Sequence, residues 1–590
     1  MVGFLSFAPI YPNGVLALIC IFVLPGLLLV RAFDIPSFPQ KWFVVFLSSL
    51  AANHVLVTLI AALHLDPLWT YRMAVAAVAA ILILMMAMEA AGSRRLADRG
   101  SSILQRSDIG WLGLALAILC LTYFNVWKYG VPHIFDEGDV SVSWNVWARL
   151  WSDGQFPTAS LGYPQFIPTI WAVTYIFTGS PEQYFAFYSY IVLIIAPLAF
   201  NAMNLGRRSW INPLLAGLVF VWFVAEIREP WLRSILPQAS PDWVAAIFGF
   251  CGVVLFITSA PEGRFDREKM VAALVSLCLV SIAAATKPLF GLFAIAILLA
   301  IGTDAVRHLD RIARNRFCIG AVALFALFAA TYALDYAHLA ARGMPNYPVA
   351  ELSERLSQAT KLLNSNFTIP FKILVLAGVV LCPFQRRLRW LALPLLIGFF
   401  VWADTASYDL RNLLGLLLVS AFIPLVAAAR AFDGRTAVVS SGPPKVVRDG
   451  VVAAILVVIT VGLTWPLAVS DQALKERFAR DQLAGGSGLE LNRTIEQALR
   501  RGCTVFSSTA YINTISAFEP FRQQIRFFFF TNPLDQPLID QFNEATGCTS
   551  VFYPPERINP SILRFVEAYA KARGLVKVAD GNGMELIASP

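Results

Sequence analysis

The chain has 590 residues, of which 57% are hydrophobic and only 14% are charged, and its mean hydropathy is +0.65. This composition is too apolar for a soluble globular protein of that length and predicts an integral membrane protein. The formal net charge of +8 does not indicate binding to nucleic acid, because the Arg and Lys residues form short clusters between apolar runs rather than one basic face.

A transmembrane helix needs roughly 20 predominantly apolar residues. About fourteen segments satisfy this length criterion, and no cleavable signal peptide is expected, because the first residues lack a basic region and a small-residue cleavage site. In chain order the segments are Val15–Val30, Phe43–Leu63, Met73–Met88, Ile109–Trp127, Gln183–Leu205, Leu214–Ala225, Trp243–Thr258, Val271–Ala285, Pro288–Ile301, Phe317–Leu334, Ile369–Leu381, Trp390–Ala403, Leu410–Ala429 and Val451–Val469.

The basic residues between these segments predict the orientation, since cytoplasmic loops collect Lys and Arg. When the sides alternate from the first segment, every basic cluster falls on one face. The clusters are Arg31 with Lys41; Arg94, Arg95, Arg99 and Arg106; Arg207 and Arg208; Arg264, Arg267 and Lys269; Arg307, Arg311, Arg314 and Arg316; Arg386, Arg387 and Arg389; and Arg430, Arg435, Lys445 and Arg448. The opposite face is therefore expected to be external. It carries the loops Lys128–Glu182, Glu226–Asp242 and Asp335–Thr368, and everything after Ser470.

The tail is the one long stretch of ordinary soluble composition, which predicts two domains, a membrane domain at 1–469 and a small external α/β domain at 470–590. Alternating short runs predict strands at Thr504–Ser507, Ser550–Tyr553, Leu575–Ala579 and Met584–Ala588. Cys503 and Cys548 lie in this domain, where an oxidising compartment permits a disulfide. Spacing alone does not decide whether they pair.

The first large external loop places Asp136, Glu137 and Asp139 within four positions, directly beyond a predicted membrane exit. Carboxylates this close repel one another, which is typical of an acid/base or cation-binding site. A solvated acidic turn is the alternative. The aromatic neighbourhood favours a site, since Trp144, Trp147, Trp151 and Tyr163 suit an interface and Ser141–Trp151 has helical spacing for a helix lying on the bilayer surface.

In this loop the chain resembles integral membrane glycosyltransferases of the GT-C class, which include protein O-mannosyltransferases and lipid A aminoarabinose transferases. The family pattern is an acidic residue, a Trp-Asn pair, a basic residue, a Gly and a Tyr-Pro element. Downstream, the chain has a Ser-Pro-Asp, a Thr-Lys-Pro and an Asp-Leu-Arg element in the family's order, with Asn412 where an aromatic residue is common. The matching residues are Asp139, Trp144, Asn145, Arg149, Gly154, Tyr163, Pro164, Ser240, Pro241, Asp242, Thr286, Lys287, Pro288, Asp409, Leu410 and Arg411.

The resemblance implies a GT-C-like helical fold and inverting transfer of a sugar from a polyprenyl-phosphate donor at the external membrane surface. It implies that Asp139 is the general base, with Asp136 or Glu137 as the alternative, and that Lys287 and Arg411 bind the phosphate. The further substrate-binding residues that it implies are Trp144, Asn145, Arg149, Tyr163 and Asp242.

Each cation and Asp242 also has a purely structural interpretation. Lys287 could snorkel at a membrane boundary. Arg411 could form an interfacial ion pair with Asp404 or Asp409, and Asp242 could be a helix N-cap.

No obligatory metal is predicted, although the acidic trio could hold a divalent ion through oxygen ligands. The expected partners are membrane lipids, a lipid-linked sugar donor and a lipid, glycan or protein acceptor, with the protein in a bacterial inner membrane and its site and C-terminal domain facing the periplasm. Two other functions are compatible with the sequence. A transporter or flippase of a lipid-linked glycan would show internal repeats, and a glycan polymerase or ligase would carry its principal loop later in the chain.

Overall fold

A computed structural model describes residues 10–32, 35, 37–92, 135, 139–157, 163–180, 183–206, 211–227, 239–259, 265–339, 352–384, 388–405, 409–433, 489–508, 512, 515–528, 534–556, 558–581 and 583–589. The predicted segments Ile109–Trp127 and Val451–Val469 lie outside these residues. In the membrane domain the helices are α1 Ile10–Phe22, α2 Leu24–Ala32, α3 Phe38–Ala62, α4 Pro67–Gly92, α5 Asn145–Ser152, α6 Phe166–Thr178, α7 Tyr184–Gly206, α8 Ile211–Glu226, α9 Pro241–Thr258, α10 Arg267–Ala284, α11 Gly291–His308, α12 Arg311–Leu339, α13 Leu352–Asn366, α14 Ile369–Leu381, α15 Arg389–Thr405 and α16 Leu414–Asp433.

Eight stretches of helix in the described part are long and apolar enough to cross a membrane. They are Asn13–Val30, Pro39–Ala62, Pro67–Met85, Tyr184–Gly206, Pro241–Thr258, Pro288–His308, Arg311–Ala337 and Leu410–Ala427. Shorter apolar helices occur at Phe166–Thr178, Asn212–Glu226 and Ile369–Phe384. The architecture is thus that of a polytopic helical membrane protein, as predicted.

Burial separates central helices from helices that would face lipid. In α9, 94% of the apolar window is buried, and this helix packs against α7, α10 and α16. In α12 only 22% of the window is buried, and α14 carries exposed aliphatic side chains such as Ile373 and Leu376. An apolar outer surface of this extent is expected where the solvent is a bilayer.

The predicted external loop 128–182 contains a helix that the length criterion missed. All residues of α6 are buried, and α6 packs against α1, α3 and α7 within the bundle. Its 13 residues give a rise of only about 20 Å, which is shorter than the roughly 30 Å hydrocarbon core. A search for full-length spans therefore assigned this apolar segment to a loop.

The predicted interfacial position of the aromatic residues is also wrong for three of the four. The side chains of Trp144, Trp147 and Trp151 are buried, because α5 packs its apolar face onto α6. The indole Nε1 of Trp151 donates a 3.0 Å hydrogen bond to Gln165 Oε1, which satisfies its polar group inside the protein. Tyr163 is exposed, at 46%.

The described residues of the predicted C-terminal domain form three α-helices and five strands: α17 Leu489–Arg500, β1 Thr504–Ser507, β2 Ile525–Phe527, α18 Gln536–Glu544, β3 Thr549–Tyr553, α19 Pro560–Arg573, β4 Val576–Gly581 and β5 Met584–Ala588. The strands make one sheet with the order β2-β1-β3-β5-β4. The neighbours β2, β1 and β3 are parallel, whereas β5 is antiparallel to both β3 and β4. Alternating strand residues contact one hydrophobic core containing α17 and another containing α18 and α19, so helices cover both faces.

The four predicted strands are present, and the three-residue β2 was not predicted. Cys503 and Cys548 form a disulfide across 4.5 Å between their Cα atoms. They immediately precede the paired residues Thr504 and Thr549 of the parallel strands β1 and β3, and strand pairing alone brings two such positions within bridging distance.

Replacing both Cys503 and Cys548 by Ala should lower the free energy of unfolding of the C-terminal domain by about 2–4 kcal/mol, because the bridge closes a long loop in the unfolded chain. The sequence separation is 45 residues. Hydrogen exchange of β1 and β3 in the full-length protein measures this change. Cys318→Ala, at a free cysteine, is the control, and equal protection in all three proteins would contradict the prediction.

Candidate functional site

Lys287 lies where a proline interrupts an apolar run. The residue before a proline is disfavoured in helical conformation, and Lys287 is extended, with φ −141° and ψ 118°. A 3₁₀ turn follows and leads into α11. The Phe290 ring of that turn lies between α9 and α16, so close that a Cβ at Gly249 or Gly415 would overlap it. Tight packing therefore fixes the turn that carries Lys287.

Arg411 lies on a second 3₁₀ turn, Leu410–Leu413, directly before α16. Asp409 caps this turn, since its Oδ1 accepts a 2.9 Å hydrogen bond from the backbone N–H of Arg411. The indole of Trp402 donates to the Asp409 carbonyl at 3.0 Å. Both basic side chains thus come from short turns at helix N-termini, where the helix dipole favours anions.

Lys287 pairs with a buried carboxylate. Its Nζ lies 2.6 Å from Asp242 Oδ1, and the two side chains are 17% and 6% exposed. Ser240 Oγ donates to Asp242 Oδ2 at 3.1 Å, and Lys287 Nζ donates to Asn412 Oδ1 at 3.4 Å. Burial disfavours the charged ammonium, but the Asp242 carboxylate outweighs this effect and holds the pKa of Lys287 above its usual 10.5.

Arg411 contacts two carboxylates. Its Nη1 lies 2.5 Å from Asp139 Oδ2. On its other side, Nη2 lies 2.7 Å from Asp409 Oδ2 and Nε donates to the same oxygen at 2.8 Å. Since Arg411 is 272 residues along the chain from Asp139, the tertiary fold creates this contact.

Two aromatic rings form one wall beside the lysine. Lys287 Nζ lies 5.9 Å from the ring centroid of Trp144 and 5.6 Å from that of Tyr163, within the range of cation–π attraction. The two rings meet edge to face at 6.1 Å. Of the two rings only that of Tyr163 is exposed, and it presents a flat apolar surface with a polar hydroxyl at its edge.

Lys287, Asp242 and Arg411 line one cavity of about 130 Å³. Its remaining walls are largely apolar and come from α9, the turns before α11 and α16, and α15. The lining residues are Asp242, Ala245, Ala246, Lys287, Pro288, Leu289, Phe290, Val401, Trp402, Arg411, Asn412 and Gly415. Two fixed cations and two helix N-termini at an apolar cavity can hold an anionic head group whose tail is apolar.

Of the predicted site residues, Asp139, Trp144, Tyr163, Asp242, Lys287 and Arg411 lie in this connected cluster. Asn145 and Arg149 do not line the cavity and are buried. The Asn145 Oδ1 accepts a 2.5 Å hydrogen bond from Tyr175 Oη, which positions α5 against α6. Asp136 and Glu137 lie outside the described residues, so their parts in the site stay predictions.

The structural interpretations considered for Asp242, Lys287 and Arg411 do not all hold. Asp242 is not the N-cap of α9, since Ser240 holds that position. Lys287 is paired in the protein rather than extended to a boundary. Arg411 does form an ion pair with Asp409, whereas Asp404 pairs with Arg355 at 2.9 Å.

Gly154 of the sequence pattern has a structural explanation. It has φ +71° and follows the C-terminus of α5, where glycine is favoured because L side chains rarely adopt this conformation. A Cβ there would also lie 3.1 Å from Pro67 Cγ. Its presence in the sequence pattern therefore reflects the geometry of the chain at the end of α5.

Three residues of the site were not assigned to it from sequence: Asp409, Asn412 and Trp402. Asp409 had the clearest signal, because an Asp two residues before a basic residue at the start of an apolar run is typical of a capped turn. Asn412 departs from the family pattern, and it occupies the position that contacts Lys287.

Among the described residues, no group of three or more His, Cys, Asp or Glu side chains is arranged to hold a metal ion. Asp139, Asp242 and Asp409 each contact a Lys or Arg side chain instead.

No protein-family model matches the chain, and no curated protein matches it. Among solved structures, it is similar to ArnT from Cupriavidus metallidurans in the apo state, with a TM-score of 0.45 and 11% sequence identity over 81% of this chain and 98% of that one. It is also similar to ArnT from the same organism bound to undecaprenyl phosphate, with a TM-score of 0.44 and 12% identity over the same shares of the two chains.

Proposed function

We propose that this protein is an integral membrane glycosyltransferase that transfers a sugar from a polyprenyl-phosphate donor to a lipid, glycan or protein acceptor. The observation that carries the proposal is the cluster in which Asp139 contacts Arg411 while Arg411 and Lys287 line one apolar cavity. An exposed carboxylate beside two fixed cations suits a reaction in which one group loses a proton and another leaves as phosphate.

The roles follow from the charges. The side chain of Asp139 is 56% exposed. Its carboxylate accepts the proton of the acceptor hydroxyl while the oxygen of that hydroxyl attacks the anomeric carbon of the sugar. Lys287 and Arg411 stabilise the departing polyprenyl phosphate. Tyr163, which is exposed, binds the sugar, and the buried Trp144 packs against the Tyr163 ring. We place this chemistry on the external face of a bacterial inner membrane, because the basic clusters of the sequence assign the opposite face to the cytoplasm.

The test uses the full-length protein in liposomes with a polyprenyl-phosphate sugar labelled in the sugar. A transferase forms a labelled acceptor and releases polyprenyl phosphate, whereas a flippase moves the intact donor between leaflets. Arg411→Met is the matched variant and should lose transfer. Movement of uncleaved donor without any product would contradict the proposal and support the transporter alternative.

Affinity for polyprenyl phosphate should not decline between about pH 8 and about pH 10 through loss of charge at Lys287. Because the pKa of Lys287 is raised above 10.5, its ammonium group stays protonated below that pH and loses its charge only as the pH rises beyond it. Dissociation constants measured across this range check the prediction. Lys287→Arg, whose charge is independent of pH in this range, is the control, and a decline in wild type that Lys287→Arg abolishes would contradict it.

A further inference from the structure

Arg411 holds its two carboxylate partners very differently. The Asp409 side chain is 10% exposed and accepts hydrogen bonds from the backbone N–H and Nε of Arg411. The Asp139 side chain is 56% exposed and reaches Arg411 through Nη1. Asp409 is therefore a fixed partner, built into the turn that carries Arg411, whereas Asp139 is a partner that solvent or a ligand can replace.

Before a ligand binds, the cluster contains more carboxylates than cations. Asp139, Asp242 and Asp409 carry three negative charges against the two positive charges of Lys287 and Arg411. Lys287 is already paired with Asp242, which is almost inaccessible. Of the ion pairs in the cluster, the contact between Arg411 and Asp139 is the most exposed. It is therefore the contact that a phosphate entering the cavity would replace most easily.

The same contact occupies both groups that the reaction would need. Asp139 Oδ2 lies 2.5 Å from Arg411 Nη1, so this oxygen is turned towards the guanidinium group and not towards an acceptor hydroxyl. In the same way, Arg411 Nη1 is not available to a phosphate as long as Asp139 stays in contact with it.

From this competition, and on the basis of the proposed function, we propose that the donor phosphate displaces Asp139 from Arg411 and so releases the carboxylate to act as the base. Phosphate then accepts hydrogen bonds from Arg411 Nη1 and from Lys287. The released Asp139 takes the proton of the acceptor hydroxyl while the new glycosidic bond forms. The bond from the anomeric carbon to the phosphate oxygen breaks, and its electron pair leaves with polyprenyl phosphate.

The backbone beside Asp139 offers a means for this movement. Val140–Trp144 forms a π-helical turn immediately after Asp139, and α5 follows it without a break. A π turn contains one residue more than the equivalent α turn and is frequent at functional sites. Conversion of this turn to an α turn, with α5 held in place, would rotate Asp139 by about 100° around the helix axis and so change the position of its carboxylate relative to Arg411.

The mechanism makes an unusual prediction for binding. Asp139→Asn should bind undecaprenyl phosphate more tightly than the wild type, by about fivefold, because the competing charge is removed from Arg411. Titration of the full-length protein in detergent with undecaprenyl phosphate measures the dissociation constants. Asp404→Asn removes a carboxylate that pairs with Arg355, and it should leave the affinity within about twofold of the wild type.

A double-mutant cycle shows whether the gain depends on Arg411. In an Arg411→Gln background, the further change Asp139→Asn should give no gain in affinity. Unchanged or weaker binding by Asp139→Asn in the wild-type background would overturn the proposal. The proposal would also be overturned if Asp139→Asn raised the affinity in the Arg411→Gln background, or if Asp404→Asn raised it equally. Either result would show that the higher affinity does not depend on the contact between Asp139 and Arg411.

These outcomes are independent of the test of the proposed function. The competition model is judged by the binding of undecaprenyl phosphate alone, and the transferase proposal by product formation. A wild-type protein that forms no glycosylated product, but whose Asp139→Asn variant binds more tightly through Arg411, would refute the transferase and retain the competition.

Discussion

Replacing Asp139 by Asn should reduce sugar transfer by about two to four orders of magnitude, the contribution typical of a general base. The amide has nearly the shape of the carboxylate but cannot accept the acceptor proton. Because the donor still binds, the loss should appear in kcat rather than as a raised KM for the donor. The measurement is the initial rate of transfer from a defined polyprenyl-phosphate sugar in detergent.

Asp136→Asn and Glu137→Gln are the matched variants, since each removes one carboxylate from the same loop. Both should keep transfer within about tenfold of the wild type if Asp139 is the base. Loss of transfer in one of them, with Asp139→Asn active, would move the role of the base to that residue. Full activity in all three would refute the assignment of the base to this loop.

Lys287→Met should both abolish transfer and destabilise the protein, because it leaves the carboxylate of Asp242 buried without its cation. Asp242 is 6% exposed and lies 2.6 Å from Lys287 Nζ. Breaking a buried ion pair by removing one partner costs about 3–5 kcal/mol. The midpoint of thermal unfolding in detergent, measured together with the rate of transfer, shows both effects.

The double variant Lys287→Met with Asp242→Asn separates stability from function. It removes both charges, so the midpoint of thermal unfolding should return towards that of the wild type while transfer stays absent. Lys372→Met is the control, because Lys372 Nζ donates to the neutral Asn364 Oδ1 at 2.7 Å and lines a different groove. Recovery of transfer in the double variant would show that Lys287 serves only to neutralise Asp242.

The transmembrane spans were predicted from the length of apolar runs. The assignment of α6 to a loop is an error that follows from the same criterion. Apolar runs near the thickness of a bilayer, such as α3 and α9, were recognised because their composition is sufficient evidence. The buried helix α6 was not recognised, because it is too short to cross the membrane by itself. A helix of this length can still be buried when other helices surround it. The tryptophans beside it were assigned to an interface for a related reason, since an amphipathic helix has the same pattern whether it faces lipid head groups or a neighbouring helix.

The sequence by itself determined the elements that local chemistry controls. Apolar runs predicted the helices, and alternation predicted four strands of the C-terminal domain. Only the tertiary structure decided which charges meet. Asp139 and Arg411 are 272 positions apart, and no local rule pairs residues at that separation. Asp139 directly precedes the π turn that leads into α5, and a chain of packed helices connects it with Arg411: α5 packs on α6, α6 on α7, α7 on α9, and α9 on α16, which follows the turn of Arg411. Burial of apolar surface, and not the attraction between the two charges, holds these helices together.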